Sequence, residues 1–208
     1  MSGDSQTTMN FAGRSNTRTI VQVGMLGAVA MVLMFFEVPL WFAPPFYKMD
    51  LSELPVLIGC FAMGPAAGVM IELVKILLHL VVQGTTTAGV GDLANFLIGC
   101  SFVVPAGMIY KKIRTKKGAV IGMIVGTVTM TVLGCVLNAF VLLPFYATAF
   151  EMPMDVLIQM GTAVNAWIQD VFSFVILAVA PFNILKGMIV SALTFLLYKH
   201  IRPILRRQ

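Results

Sequence analysis

Residues 178–198 read AVAPFNILKGMIVSALTFLLY, and how this stretch is understood decides the fold. It is long and apolar enough to cross a bilayer, which takes roughly 20 predominantly apolar residues. Yet it carries an amide, Asn183, and a full cation, Lys186, three residues apart and therefore on one face of a helix. A lysine near the centre of a membrane helix costs on the order of 3 kcal/mol on insertion scales. Such a charge requires a partner, a watery cavity or a ligand. Two arrangements meet the need. Either the polar pair faces a pocket holding a small polar molecule, or Lys186 pairs with a carboxylate inside the bundle or snorkels to the interface. Pro181 is expected in the first turn of this helix, where its missing N–H matters least, and Gly187 leaves room for close approach.

The whole chain fits a membrane setting. Of its 208 residues 59% are hydrophobic and 11% charged, with a mean hydropathy of +0.93. Soluble domains carry about 25% charged residues. This composition is that of an all-α integral membrane protein, and its length holds one bundle of five or six helices with no soluble catalytic domain. The net charge of +5 does not point to nucleic acid. Eleven of the fourteen Lys and Arg residues form three clusters: Arg14 and Arg18; Lys111, Lys112, Arg114, Lys116 and Lys117; and Lys199, Arg202, Arg206 and Arg207. Each abuts an apolar span, as cytoplasmic segments do. Cys60, Cys100 and Cys135 lie in apolar runs and read as free thiols filling helix contacts.

Residues 1–19 are polar, without a secretory signal pattern, and are expected to form a mobile cytoplasmic tail. The membrane domain is expected over 20–203, with a short cytoplasmic tail at 204–208. The first span, 20–36, carries Gly24 and Ala28 in small-xxx-small register, suited to internal packing or to docking on another membrane subunit. Residues 37–50, EVPLWFAPPFYKMD, contain three prolines and four aromatics and exclude a regular helix. They form either an aromatic-belt connector, with Trp41 and Tyr47 at headgroup level, or a lid over an outward-opening site. Residues 51–63 are too short for a full span and end at Gly64-Pro65, so 66–82 returns as the second arm of a tight hairpin. Glu72, Lys75 and His79 share one face of that arm, as a mutually neutralising set or as a proton relay.

The loop 83–91, QGTTTAGVG, lacks the Gly-Lys-Ser/Thr ending of a P-loop. Asp92 is a candidate N-cap of the next helix, and Asn95 either caps it or points into a pocket. The cytoplasmic basic loop 111–117 follows. The fifth span, 118–143, is Gly/Thr-rich in its first half and carries one strong polar group, Asn138, in its second. Residues 144–170 read as an external amphipathic segment, with a helical run over 164–174 at the interface. This gives six crossings with both termini cytoplasmic. Glu37, Asp50, Glu53, Asp92, Glu151, Asp155 and Asp170 then lie towards the outside, where Lys48 is the one basic residue.

No catalytic set emerges: no His-Glu-x-x-His, no Cys-x-x-Cys, no convergent carboxylates for a metal. No ring symmetry or carbonyl filter points to a channel. What remains is a binding bundle with polar groups at Asn138, Asn183 and Lys186, and Asn95 as a further candidate. Amides suit ligands with adjacent donors and acceptors, and aromatic and Met-rich walls suit a flat ring.

Three stretches carry a family resemblance: YKMDLSELPVLIGCFAMGPAAGVMIELVKILLHL from Tyr47, GVGDLANFLIG from Gly89 and PFNILKG from Pro181. On these the chain resembles a substrate-binding (S) component of an energy-coupling factor (ECF) vitamin transporter, most closely the riboflavin-specific, RibU-type branch. The resemblance spans about residues 20–203. It implies a six-helix fold with a short second helix, and a flavin site formed by the first external loop and helices four to six. It places Asn138, Asn183 and Lys186 at the isoalloxazine edge, with Asn95, Asp92 and Tyr47 as further site residues. Gly24 and Ala28 match the face that docks on a coupling membrane subunit, though Gly24 departs from the alanine-rich family pattern. The implied partners are that subunit, two cytoplasmic ATPases and the bilayer; riboflavin is cargo, and no cofactor or metal is implied. Two rivals remain: an S component for another vitamin, and a proton-coupled secondary transporter using Glu72, Lys75 and His79.

Overall fold

The computed structural model describes residues 4–44, 47–85, 87–149, 151 and 153–205, with side chains over 17–197. The extreme ends of both expected tails (1–3 and 206–208) lie outside the described residues. So do positions 45 and 46 of the loop 37–50, 86, and 150 and 152 of the segment 144–170.

Among the described residues the regular structure is helical, apart from one two-residue ladder. Five stretches are long and apolar enough to cross a membrane: Thr17–Met34, Pro65–Val82, Val90–Lys112, Lys116–Ala149 and Val171–Leu197. A shorter apolar helix, Glu53–Met63, joins them. Helix α1 (Asp4–Met34) begins well before the first span, so most of the expected tail is helix. Residues 37–50 avoid helix as expected. Their ends form strands β1 (Val38–Pro39) and β2 (Lys48–Met49), paired antiparallel with Val38 opposite Met49. Lys48 and Glu37 form an ion pair at 2.8 Å across this hairpin.

Helix α2 (Glu53–Met63) stops where Gly64 adopts φ +100°, a conformation glycine tolerates and other residues resist. Pro65 then opens α3 (Pro65–Val82) at a position that needs no N–H. Helix α4 (Val90–Lys112) is N-capped by Gly89 rather than Asp92. Hydroxyls of the preceding loop take over the capping: Thr85 Oγ1 accepts from the Gly89 N–H at 2.8 Å, and Thr87 Oγ1 from Gly91 at 3.0 Å.

The two longest apolar spans depart from the sequence expectation in the same way. Helix α5 (Lys116–Leu137) does not end near residue 143. It passes through a π-turn, Asn138–Leu142, into α6 (Leu143–Ala149). The last helix does not begin at Pro181. It begins at α8 (Val171–Phe174), passes a π-turn at Val175–Val179, and continues as α9 (Ala180–Leu205). Each π-turn ends two residues before a proline, Pro144 or Pro181. A proline ring clashes with the preceding turn and removes a donor. The extra residue of a π-turn relieves the crowding and lets the helix run on. Asp170 caps α8 in a reciprocal box, its carboxylate accepting from the Ser173 N–H at 2.7 Å. The expected helical run at 164–174 is therefore turns up to Asp170 and the first turn of a spanning helix after it. A separate helix, α7 (Met154–Thr162), packs against α6 and α8 at that end of the bundle.

Two apolar clusters hold these elements. The larger joins α1 to α5 and α9 through Val56, Leu57, Ile71, Phe102, Val103, Met130 and Val190. A smaller one, Leu143, Leu157, Ile168, Phe174, Val175, Ala178 and Val179, ties the segment 144–170 to the adjoining ends of the last two spans. Large apolar side chains such as Ile20, Met25, Val128, Val132 and Phe140 point outward, as a lipid-facing surface requires.

Candidate ligand-binding cavity

A cavity of about 250 Å³ opens between the loop 37–50, helix α4, the π-turn that follows α5, and helices α6 and α9. Asn138 and Asn183 line it and are 3% and 4% exposed; Lys186, also lining it, is 8% exposed. Glu37, Tyr47, Lys48 and Asp50 of the loop, Asn95 of α4, Tyr146 of α6 and Phe182 of α9 complete the polar and aromatic wall. The groups named from the sequence thus converge, although Asn138 and Lys186 stand on different helices.

Local geometry fixes each amide. The Asn138 Nδ2 donates to the Gly134 carbonyl at 2.8 Å, and Asn183 Nδ2 to the Val179 carbonyl at 2.9 Å. Both bonds return to a residue one turn earlier, so each amide oxygen is aimed by its own helix. Gly134 has a second function unseen in the sequence: a Cβ there would lie 2.9 Å from Asn183 Nδ2. The missing side chain is the space the second amide occupies.

Tyr47 links loop to bundle. Its hydroxyl donates to Asn138 Oδ1, and its ring packs on Phe182 at 5.4 Å and Phe174 at 6.3 Å between centroids. Burial pushes the Tyr47 phenol far above its usual range, so it remains protonated and a donor.

Lys186 is paired. Its Nζ lies 3.0 Å from Asp50 Oδ2. Burial alone would raise the Asp50 carboxyl, but the Lys186 and Lys75 ammoniums and the Ser52 hydrogen bonds outweigh it and hold the group at about 2. Asp50 Oδ1 also accepts from the Ser52 N–H at 2.7 Å, which orients the carboxylate towards the lysine. The carboxylate-partner reading of Lys186 and the cavity reading therefore both hold.

Behind this pair lies a second, fully buried set. Lys75 Nζ reaches Glu53 Oε1 at 2.9 Å, Glu72 Oε1 at 2.5 Å and Ser52 Oγ at 3.3 Å. Glu53 was not singled out in the sequence as Lys75's partner; its signal was an acid opening a helix too short to span. His79 stands apart from this set, its Nδ1 2.8 Å from Asp92 Oδ1. Asp92 is thus tied to α3 and is not among the residues lining the cavity. Gly24 and Ala28 lie elsewhere, on α1: Gly24 is half-buried in a groove shared with Ala66, Met70 and Val74 of α3, with open space where a side chain would be, and Ala28 is exposed.

Comparison with known proteins decides the family. The sequence profile for "ECF transporter, substrate-specific component" matches residues 18–198. The chain belongs to that family. Its relatives include the riboflavin transporter RibU of Staphylococcus aureus, 36% identical over 191 residues, covering 91% of this chain and 93% of the relative. The riboflavin transporter FmnP of Bacillus subtilis is 31% identical over 192 residues, covering 92% and 95%. A solved structure of the S component of a bacterial ECF transporter superposes with a TM-score of 0.71 at 35% identity, covering 91% of this chain and 98% of that one. This S component is accordingly a multi-pass protein of the cell membrane, and its part is to bind substrate, not to catalyse.

Proposed function

We propose that this S component is the riboflavin-binding membrane subunit of an ECF-type ABC importer. It captures the vitamin from outside and reorients with a coupling membrane subunit driven by two cytoplasmic ATPases. The observation that carries this reading is the convergence of Asn138, Asn183 and Lys186 on one cavity beneath a loop anchored by Tyr47. It is supported by relatives that are themselves riboflavin transporters. The amides supply donors and acceptors for the edge of the isoalloxazine ring, Asn95 extends that wall, and Phe182 and Tyr146 offer flat apolar surface. Riboflavin is cargo, not cofactor.

In this reading both termini are cytoplasmic and the chain crosses six times, with α2 as the short crossing. The basic loop 111–117 lies inside, and segments 37–50 and 144–170 lie outside. Gly24 and Ala28 present the small-residue face on which the coupling subunit docks. A proton relay through Glu72, Lys75 and His79 is disfavoured, because Lys75 is held between two carboxylates and His79 is engaged by Asp92.

The test is an absorption spectrum of protein purified without added ligand. A flavin spectrum is expected. Colourless protein that also fails to quench added riboflavin overturns the assignment. Sustained, uncoupler-sensitive accumulation in proteoliposomes of this chain alone would instead favour the proton-coupled rival.

A further inference from the structure

A second cavity, of about 270 Å³, lies at the opposite end of the bundle, between the C-terminal ends of α2 and α4. Its floor is apolar, with Phe61 and Tyr110 in ring contact at 4.6 Å, and its rim carries Lys111 and Arg114. Both cations are exposed, and among the described residues neither has a carboxylate partner. They belong to a run of five cations in seven residues, Lys111–Lys117, so they repel one another unless an anion intervenes. Gly64 stands at the mouth with open space where a side chain would be. Exposed Met108 and Ile113 flank the cations on α4 and just beyond it, at the level where the apolar span gives way to the basic turn.

We infer that this cavity binds the phosphate headgroup of an anionic phospholipid in the basic-side leaflet. The shared chemistry is a phosphate monoanion or diester held by an ammonium and a guanidinium. A free phosphate would satisfy the cations alone. The lipid also accounts for the apolar floor and for the neighbouring side chains that face acyl chains. Basic pockets between helices on the cytoplasmic side are a recurrent setting for such headgroups. Nothing in this inference depends on which vitamin occupies the outer cavity.

The test uses the full chain in detergent, with native mass spectrometry after equilibration with phosphatidylglycerol or phosphatidylcholine. Phosphatidylglycerol is expected to be retained preferentially. K111Q/R114Q is expected to weaken retention ~30-fold, since each cation near the surface is worth ~1 kcal/mol and 1.4 kcal/mol is tenfold. K116Q/K117Q, which alters two cations off the cavity lining, is expected to weaken it far less. A monodisperse gel-filtration profile and an unchanged helical circular dichroism spectrum report that each variant is folded. Equal retention of the two lipids, or equal loss in the two variants, overturns the site. Displacement of the lipid by millimolar inorganic phosphate overturns the lipid as occupant.

Discussion

Lys186 on the last helix and Asp50 in the loop 37–50 meet at 3.0 Å across 136 positions of sequence, and both line the candidate ligand cavity. The pair ties the loop to the bundle while leaving part of each group facing the cavity. Removing one member strands the other as a buried charge, which typically costs about 3–5 kcal/mol. Asp50→Asn and Lys186→Met should each lower stability by that order in chemical unfolding. The double variant should cost less than the sum of the singles. Additive losses would show that the two groups do not act as a pair.

Asn183→Ala should weaken riboflavin binding by about 1–3 kcal/mol, because the ligand's polar edge is left unpaired. Fluorescence titration of purified N183A measures this directly. An unchanged affinity would remove Asn183 from the binding surface.

Gly134→Ala addresses the same amide without touching its chemistry. The added methyl would lie 2.9 Å from Asn183 Nδ2, so the amide must shift or the helices must part. Riboflavin affinity should fall about tenfold, ~1.4 kcal/mol, with the protein still folded by circular dichroism. Equal affinity would mean the amide has freedom the packing denies it.

Lys75→Met should be the most damaging of these changes to folding. It leaves Glu53 and Glu72 facing each other with no ammonium between them, at a cost set by burial rather than by ligand. We expect a loss of about 3–5 kcal/mol in unfolding experiments. A K75M protein as stable as the parent would show that the cluster is not held by its cation.

Stability should also fall in acid through Asp50. Its folded carboxyl titrates at about 2, below the model-compound value of 3.8. A depressed carboxyl stabilises the fold above its unfolded value, and the contribution fades as pH drops from about 4 to about 2. It amounts to on the order of 2 kcal/mol. Thermal melts at pH 5 and pH 2.5 should therefore differ more for the parent than for D50N. Parallel curves would assign the acid sensitivity to other groups.

Much of this was legible in the sequence, for a physical reason: in lipid, polar groups are few and each one signifies. Asn138, Asn183, Lys186 and Tyr47 stood out against apolar surroundings and do share a cavity. Gly64-Pro65 marked the α2–α3 turn because both residues have unusual backbone demands. The partnerships were not legible. That Lys186 meets Asp50, and Lys75 meets Glu53 as well as Glu72, depends on how helices are placed around one another. The prolines misled. Pro144 and Pro181 read as boundaries, whereas each lies inside a helix just beyond a π-turn, a device with no compositional mark. Asp92 also misled, since a loop hydroxyl and Gly89 left it free to bind His79.

The small outer cluster around Leu143, Leu157, Ile168 and Phe174 is separate from the core that joins the other helices. Local openings of a protein follow such boundaries, because loosening one set of contacts need not disturb the other. The roof over the proposed vitamin site can thus melt and re-form as a unit while the shaft beneath stays intact. Amide hydrogens of α7 and the turns at 163–170 should exchange with solvent deuterium well before those of α4 and α5, and bound riboflavin should slow them.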